Sequence, residues 1–470
     1  MSENPKKKEF LILDLVKATR ATLISSGLTS NKQDFTAVSI DSRTTATGDC
    51  FFAIAGENFD GHDYVGDAFA KGAVCAVVSE KFQNDELAGK CLLRVDDTVK
   101  ALGDLAREYR WRGDFKVVAI TGSAGKTTTR HICHHVLSRR FKVHQSPKSF
   151  NNDIGVPLTL LGAGADTEIV IAELGSNNPG EIAYLTRIAE PDIAVVTNVH
   201  PAHLEGFGDL QTIVQEKSSI AEGLKQNGIL IANADFELLL EACRARNAKL
   251  VKFGKSKSAD CRVSDIGLEG PSSRFTIDGV QVHLPLAGPG NVENALGAWA
   301  VCRQFGATVD EFAAAVENLP PVSMRAELLQ IGTLTVLSDC YNANPASMKN
   351  ALEILAGLDP TGRRRLVFVC GDMAELGWQT ERLHAELGAF IAGTRVELMV
   401  AVGKLVAIAA KNAQSSAPDE LQTKCFGDTL SACKNLRKLI KDNDIVLVKG
   451  SRRAGLETIV EKLKMIYTNQ

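Results

Sequence analysis

Thr121-Gly122-Ser123-Ala124-Gly125-Lys126-Thr127-Thr128-Thr129 sits between two stretches of different character. Before it, Lys116-Val117-Val118-Ala119-Ile120 is apolar and β-branched, the pattern of a buried strand. After it, Arg130 to Arg139 contains neither Pro nor Gly and reads as a helix. Strand, glycine-rich turn and helix together make a phosphate cradle. Gly122 and Gly125 permit backbone angles that turn successive N–H groups toward one anion, and the helix N-terminus adds partial positive charge. Ser123, Ala124 and Thr128 complete the loop. Lys126 would reach the β- and γ-phosphates of a nucleotide, and Thr127 offers a hydroxyl to Mg²⁺. The general P-loop carries Gly where this chain has Ile120, so this is the shorter Gly-x-x-Gly-Lys-Thr form. A tight turn with a surface lysine is the plainer alternative; the strand before and the helix after argue against it.

The chain has 470 residues, more than one core accommodates, so about two to four domains are expected. With 45% hydrophobic and 23% charged residues, the composition is that of an ordinary soluble protein. The formal charge of −3 gives no reason to expect nucleic acid or an anionic membrane as partner. The 11 cysteines are odd in number, scattered and without a Cys-x-x-Cys pair, which points to reduced thiols in the cytoplasm rather than disulfides or zinc. Met1 to Lys8 is followed by no apolar segment of signal-peptide type. The most apolar long window, Leu398 to Ala410, is too short to cross a bilayer and reads as strand, turn and helix around Gly403-Lys404.

Residues 1–98 read as a small α/β domain with strands at Ala37-Val38-Ser39-Ile40, Cys50 to Ala55 and Ala73 to Val78. Polar groups follow the strands, at Asp41-Ser42-Arg43 and at Phe59-Asp60-Gly61-His62-Asp63, where ligand sites are commonly built. Taken alone, Asp41-Ser42-Arg43 reads as a turn with an ion pair. Asn31-Lys32-Gln33-Asp34 matches a guanine-reading motif by letters, but it lies far upstream of the P-loop and reads as a solvated loop.

Asp97 to Trp111 has helical spacing and leads into a central domain, residues 99–320. There Ser149-Phe150-Asn151-Asn152-Asp153-Ile154-Gly155-Val156-Pro157 is dense in turn formers. The strand Glu168 to Ala172 ends in Glu173, where a magnesium-holding carboxylate belongs beside a P-loop. The strand Ile193 to Asn198 delivers Val199-His200-Pro201-Ala202-His203 to the same edge of a parallel sheet. Either histidine could serve a metal site or be a hydrogen-bonded structural residue. Leu210 to Leu224 reads as an amphipathic helix carrying Glu216-Lys217. Gly288-Pro289-Gly290-Asn291 closes an irregular β region and opens a helix that runs to Phe305.

Residues 321–470 alternate strand-like runs (Leu334 to Leu337, Leu366 to Val369, Leu398 to Val402, Ile445 to Val448) with helical stretches, which means a doubly wound sheet. No Gly-x-Gly-x-x-Gly follows the first strand, so a dinucleotide site is not supported. Three strands end in reactive side chains: Asp339-Cys340-Tyr341-Asn342-Ala343-Asn344-Pro345, Gly371-Asp372-Met373-Ala374-Glu375-Leu376-Gly377 and Lys449-Gly450-Ser451-Arg452-Arg453. On one edge of one sheet they form a second binding face.

These motifs, in this order along nearly the whole chain, resemble the Mur ligase family of peptidoglycan synthesis. The shared elements are the short phosphate loop, Asn151-Asn152 with Gly155-Val156-Pro157, Glu173, Thr197-Asn198 through His203, and Lys217. Asp41-Ser42-Arg43 and Asp60-Gly61-His62 resemble the family's nucleotide-sugar-binding domain. Tyr341 to Pro345 and Gly371 to Gly377 resemble the pentapeptide-forming branch, and the Asp-Asn-Pro-Arg signature of the tripeptide-forming enzyme is absent. Gly290 stands where the family often has His. His200 stands where relatives often have a small residue, so the metal role passes to His203 alone.

The resemblance implies an α/β protein of three domains: a small N-terminal domain, a central P-loop ATPase domain with a parallel sheet, and a C-terminal Rossmann-like doubly wound domain. It implies a cytoplasmic, monomeric, ATP-dependent amide ligase that adds D-alanyl-D-alanine to UDP-N-acetylmuramoyl-tripeptide through an acyl phosphate, with two Mg²⁺ ions. Thr127, Glu173, His203 and a carbamylated Lys217 would hold the metals, and Lys126, Lys217 and His203 would carry catalysis. Asn291, Arg325, Asp339, Tyr341 and Asn344 would join the loop in binding ATP. Asp41, Ser42, Arg43, Asp60, Gly61, His62, Asn151 and Asn152 would bind the muramoyl substrate. The rivals are another Mur-type ligase, tripeptide-forming or folate polyglutamylating, and a P-loop switch that ligates nothing.

Overall fold

A computed structural model describes residues 10–24, 34–417 and 419–468. Met1 to Lys8 and Asn31-Lys32-Gln33 lie outside the described residues. The strand Lys116–Thr121 is the centre of the molecule. It pairs in parallel with Ile169–Glu173 on one side and Ile193–Val196 on the other. Val143–Gln145, Ile229–Asn233 and Lys249–Gly254 extend the parallel run, and Cys261–Glu269, Ser272–Ile277 and Val280–Leu284 finish the nine-stranded sheet as an antiparallel hairpin region. Both faces are covered, which is why the central strand is apolar at every position from Val117 to Ile120 rather than at alternate ones. Val118 and Ile120 pack with Ile132, Cys133 and Leu296. Val117 and Ala119 face the other way, into a core shared with Leu102, Leu105 and Leu160.

That second core is continuous with the N-terminal sheet, since Phe52, Val77 and Leu93 belong to it. The N-terminal sheet has five strands in the order Thr22–Leu23, Leu92–Val95, Cys75–Ser79, Asp49–Phe52, Ala37–Ser39. The helix Thr98–Arg112 lies at the join. The Asp97 carboxylate caps it by accepting from the Val99 and Lys100 N–H groups, the usual role of an aspartate there. Its one helix-weakening residue, Gly103, has a packing reason: a Cβ there would lie 2.9 Å from Ile188 Cδ1.

The third sheet has six strands, in the order Glu327–Ile331, Leu334–Ser338, Ile445–Lys449, Leu366–Gly371, Val396–Val402, Gln422–Phe426, all parallel except the first pair. Leu204, Phe207 and Ile213 reach from the central part into the core of this sheet, beside Leu337, Met373 and Leu376. Two helices differ from the expected spans. The phosphate-loop helix is Lys126–Leu137, because Gly125 at φ +81° is its N-cap and the loop's lysine already belongs to its first turn. The expected helix Leu210 to Leu224 is α-helical only over Leu210–Ser218 and continues as a 3₁₀ turn, Ser219–Gly223. Ser218 and Ser219 donate back to the carbonyls of Gln215 and Glu216, which competes with regular helix. Among the described residues no helix is long and apolar enough to cross a membrane.

Candidate active site

The phosphate loop is fixed by what its glycines touch. A Cβ on Gly122 (φ +146°) would lie 2.0 Å from Thr197 Oγ1, and one on Gly125 would lie 2.0 Å from Asn294 Oδ1. The loop is braced by the end of the neighbouring strand. Asn198 Oδ1 accepts from the Ala124 N–H (2.9 Å), the Asn198 carbonyl accepts from the Ser123 N–H (3.1 Å), and Thr197 Oγ1 donates to the Ala124 carbonyl (2.6 Å). The backbone N–H of His200 donates to Ser123 Oγ at 2.9 Å. The His200 ring packs edge-on against Phe236, and burial lowers its pKa, which favours the neutral form.

Glu173 is buried at the end of its strand. Thr127 Oγ1 donates to its Oε2 at 2.7 Å and Asn151 Nδ2 to its Oε1 at 3.0 Å, with Arg130 Nε 3.7 Å away. Hydroxyl and carboxylate oxygens at the end of a phosphate loop are hard donors that suit Mg²⁺. Lys126 Nζ rests on the Gly122 carbonyl at 2.8 Å. Burial pulls the Lys126 ammonium below its ordinary range; Glu173 opposes that and Arg325 adds to it. Arg130 responds to the same three influences. The cations thus gather where a polyanion would relieve their mutual repulsion.

Lys217 is buried under this wall. Its Nζ donates to Ser176 Oγ at 2.7 Å and lies 5.5 Å from the centre of the Phe207 ring. Burial, followed by the charge of Lys126, pushes it down to about 7. A solvated lysine on an outer helix face does not describe it. His203 sits at φ +53° and pairs through Nδ1 with the Glu375 carboxylate, while the Glu205 N–H donates to the Glu375 carbonyl at 3.1 Å. Among the described residues no three His, Cys, Asp or Glu side chains are gathered as a metal set. An unmodified Lys217 amine does not fit Mg²⁺; its carbamate would supply oxygens.

The opposite wall comes from the third sheet. Asp339 Oδ2 meets Lys449 Nζ at 2.6 Å, and its Oδ1 accepts from the Ala326 N–H at 3.1 Å. The Arg325 guanidinium lies over the Tyr341 ring, 4.2 Å from its centre. Asn344 caps the helix Pro345–Gly357 by accepting from the Ser347 N–H at 2.8 Å. Asn291 Nδ2 donates to the Ala287 carbonyl at 2.8 Å. The Gly290 N–H donates to Asn350 Oδ1 at 3.1 Å, and a Cβ at 290 would lie 2.9 Å from that oxygen. A cavity of about 890 Å³ separates the two walls. Ser123, Ala124, Gly125, Lys126, Thr127, Thr128, Asn151, Asn152, Glu173, His203, Asn291, Arg325, Asp339, Tyr341 and Asn344 all line it. Lys349, Asn350, Arg382 and Arg452 line it too; the first three come from helix faces that carry no motif. A second cavity of about 580 Å³ shares Ala374, Glu375, Ser451 and Arg453 with the first.

The expected sugar-binding residues stand apart from this cleft. Asp41, Ser42, Arg43, Asp60, Gly61 and His62 line neither cavity, and Gly122 and Lys217 lie behind the wall. Arg43, 86% exposed, makes a two-pronged pair with Asp41 at 2.9 and 2.7 Å. The guanidinium holds the Asp41 carboxyl down at about 2. His62 Nδ1 pairs with Asp60 Oδ1 at 2.6 Å and its Nε2 accepts from the Ser79 N–H at 2.9 Å, so both ring nitrogens are in use. Gly61 is required because a Cβ would lie 2.6 Å from the Ile54 nitrogen.

Three family models match in succession: Mur ligase family, catalytic domain, over residues 34–110; Mur ligase middle domain over 120–302; and Mur ligase, glutamate ligase domain, over 324–452. The UDP-N-acetylmuramoyl-tripeptide--D-alanyl-D-alanine ligase of Bacillus subtilis is 35% identical over 435 residues, covering 91% of this chain and 92% of the relative. A crystal structure of MurF from Acinetobacter baumannii superposes with a TM-score of 0.86 at 29% identity, covering 97% of this chain and 99% of that one. The MurF ligase of Thermotoga maritima in complex with ADP does so with a TM-score of 0.79 at 28% identity, covering 92% and 98%. A likeness that runs through every part of the molecule, in sequence and in backbone alike, leaves one conclusion: the chain belongs to the Mur ligase family.

Proposed function

We propose that this chain is an ATP-dependent amide ligase that joins D-alanyl-D-alanine to UDP-N-acetylmuramoyl-tripeptide, as the names of its relatives state for them. It would act as a monomer in the cytoplasmic supply of peptidoglycan precursor. The observation that carries the reading is the cleft itself, with the phosphate loop on one wall and Arg325, Asp339 and Tyr341 on the other. A carboxylate does not acylate an amine in water, because its oxygen is a poor leaving group. Transfer of the γ-phosphoryl group of ATP makes an acyl phosphate; the dipeptide amine attacks its carbonyl carbon, the C–O bond breaks and inorganic phosphate leaves.

Phosphoryl transfer needs position and charge neutralisation. Lys126 and Arg325 supply charge from opposite walls, and the loop N–H groups orient the phosphates. Thr127 and Glu173 would hold one Mg²⁺, and His203 with a carbamylated Lys217 a second; bound there, the ions would screen the phosphate oxygens. The buried amine of Lys217, neutral in good part near pH 7, is the form that adds to CO₂. A cleft divided between two sheets excludes water from the acyl phosphate when it closes. The adjoining second cavity supports entry of the acceptor from that side, with its terminal carboxylate toward Arg453. Asp41 to Arg43 and Asp60 to His62 would bind the nucleotide end of the muramoyl substrate, outside the cleft, where a long substrate reaches beyond its reacting carboxylate. The test is phosphate release, measured with each substrate omitted in turn. Release should require ATP, the muramoyl tripeptide and D-alanyl-D-alanine together. Equal release from ATP alone would mean a nucleotide switch instead.

A further inference from the structure

His384 is wholly buried on the helix Thr380–Ala392, and nothing in the reaction described above uses it. Its imidazole is nevertheless fully engaged. Nδ1 meets the Thr380 carbonyl at 2.7 Å, and Nε2 meets the Met373 N–H at 3.2 Å. A carbonyl accepts and an N–H donates, so the proton sits on Nδ1 and Nε2 offers its lone pair. Only the neutral ring can make both bonds. Burial favours that form by lowering the pKa, against the Thr380 carbonyl and the charge of Asp372.

Met373 opens the stretch that crosses to the central sheet. Just before it, the Asp372 carbonyl accepts from the Ser451 N–H at 2.9 Å, and Asp372 Oδ1 accepts from the Val406 N–H at 2.7 Å. Those bonds tie the strand end to its own sheet. Just after it, Ala374 and Glu375 line both cavities. Glu375, at φ +61°, is in the left-handed region, which a side-chain-bearing residue occupies only where its surroundings hold it. Its carboxylate pairs with His203, and its carbonyl accepts from the Glu205 N–H at 3.1 Å. Gly377 closes the same contact, since a Cβ there would lie 3.1 Å from Glu205 Cα.

We infer that His384 is a positioning residue: its Nε2 holds the Met373 N–H so that Glu375 meets the 203–205 turn and joins the two walls of the cleft. Without the imidazole, the Met373 N–H is left buried with no acceptor, and the stretch must shift to find one. Glu375 would then lose its place against His203 and Glu205. The kinetic consequence rests on the ligase reading, whereas the effect on backbone exchange is read on the protein alone. Failure of the tether and failure of that reading are thereby told apart.

The experiment is amide hydrogen exchange and steady-state kinetics on the full-length enzyme. In His384→Ala, exchange over residues 203–208, far along the chain and in the other wall, should quicken about tenfold or more, with the strand Lys116–Thr121 unchanged. The same variant should lower kcat about tenfold while the KM for ATP changes less than about threefold, because the phosphate loop is untouched. His384→Gln, whose side-chain oxygen can accept from the Met373 N–H, should bring both measurements back to within about threefold of wild type. In a Glu375→Ala background, His384→Ala should cost less than about threefold in kcat, because the side chain it positions is gone. His384→Leu, which fills the space without an acceptor, takes the place of the alanine variant if that one does not fold. Unchanged exchange over 203–208 in a folded variant that lacks the acceptor would overturn the inference. So would a glutamine variant no better than alanine, or a loss in kcat of the same size with and without the Glu375 side chain.

Discussion

Thr127 and Glu173 meet across 2.7 Å, a hydroxyl on the first turn of the phosphate-loop helix donating to a carboxylate on the adjacent strand. Both oxygens thereby face the same point beside Lys126. Glu173→Gln keeps the size and an acceptor oxygen but removes the charge that a hard cation needs. The Mg²⁺ concentration for half-maximal turnover should rise at least about tenfold, as read from a magnesium titration at saturating ATP. An unchanged magnesium curve would remove Glu173 from the metal site.

Lys126→Ala removes the ammonium from the phosphate site. The expected loss is about 3 kcal/mol of transition-state stabilisation, roughly a hundredfold or more in kcat. The melting temperature should hold, because the side chain's partner is one loop carbonyl and its charge is already disfavoured by burial. Steady-state kinetics and thermal melting of one preparation check both halves.

Lys217 should carry a carbamate. ¹³C-bicarbonate should give a carbamate resonance in the wild type and none in Lys217→Ala, and that variant should be nearly inactive and partly restored by added short carboxylates. The unmodified amine also has a stability signature. Its pKa is about 7 folded and 10.5 ordinarily, so between those values the unfolded chain binds more protons. The destabilisation from this group is full below about pH 7 and fades as pH rises toward 10.5. Stability in bicarbonate-free buffer should therefore climb over that window more steeply in wild type than in Lys217→Ala.

Glu375 ties the third sheet to the central one through His203, and that hydrogen bond holds its carboxyl below the ordinary glutamate value. A lowered folded pKa means stability that is fully present above the unfolded value and lost as pH falls through the folded one. Glu375→Gln should flatten the acid limb of a pH–melting curve below about pH 4.5 and should lower kcat by loosening the 203–207 turn.

Arg43→Ala should raise the KM for the muramoyl substrate well above that for ATP. Arg43 is almost fully exposed and Asp41 is its close partner, so melting should not change. Equal increases in both constants would leave the pair with the structural role its geometry already describes.

The phosphate loop was legible because the chemistry is local: two glycines, a lysine and a threonine between a strand and a helix need no distant partner to be recognised. Glu173 was legible for a similar reason, as an acid ending an apolar strand. The strands Glu327–Ile331 and Gln422–Phe426 were not, since both lie at sheet edges and carry polar residues where a central strand would be apolar. The His203–Glu375 pair joins residues 172 positions apart, and only the docking of Leu204 and Phe207 on the third sheet brings them together. Asp60-Gly61-His62 was legible as a motif, but its internal contacts were not. The bond from the Ser79 N–H to His62 Nε2 and the close approach of Gly61 to the Ile54 nitrogen depend on how the loop lies against neighbouring strands.

The close approach of Gly290 to Asn350 sets a rule for recombination. A chimera that takes residues 324–452 from one relative and the remainder from another inherits position 350 from one parent and position 290 from the other. If the second parent brings a side chain at 290, its Cβ would lie 2.9 Å from Asn350 Oδ1, and the Asn350 amide has to turn aside and give up the hydrogen bond it accepts from the 290 N–H. Exchanging the two positions as a pair keeps that bond between the two walls, which makes them a place to look when such a hybrid folds but does not turn over.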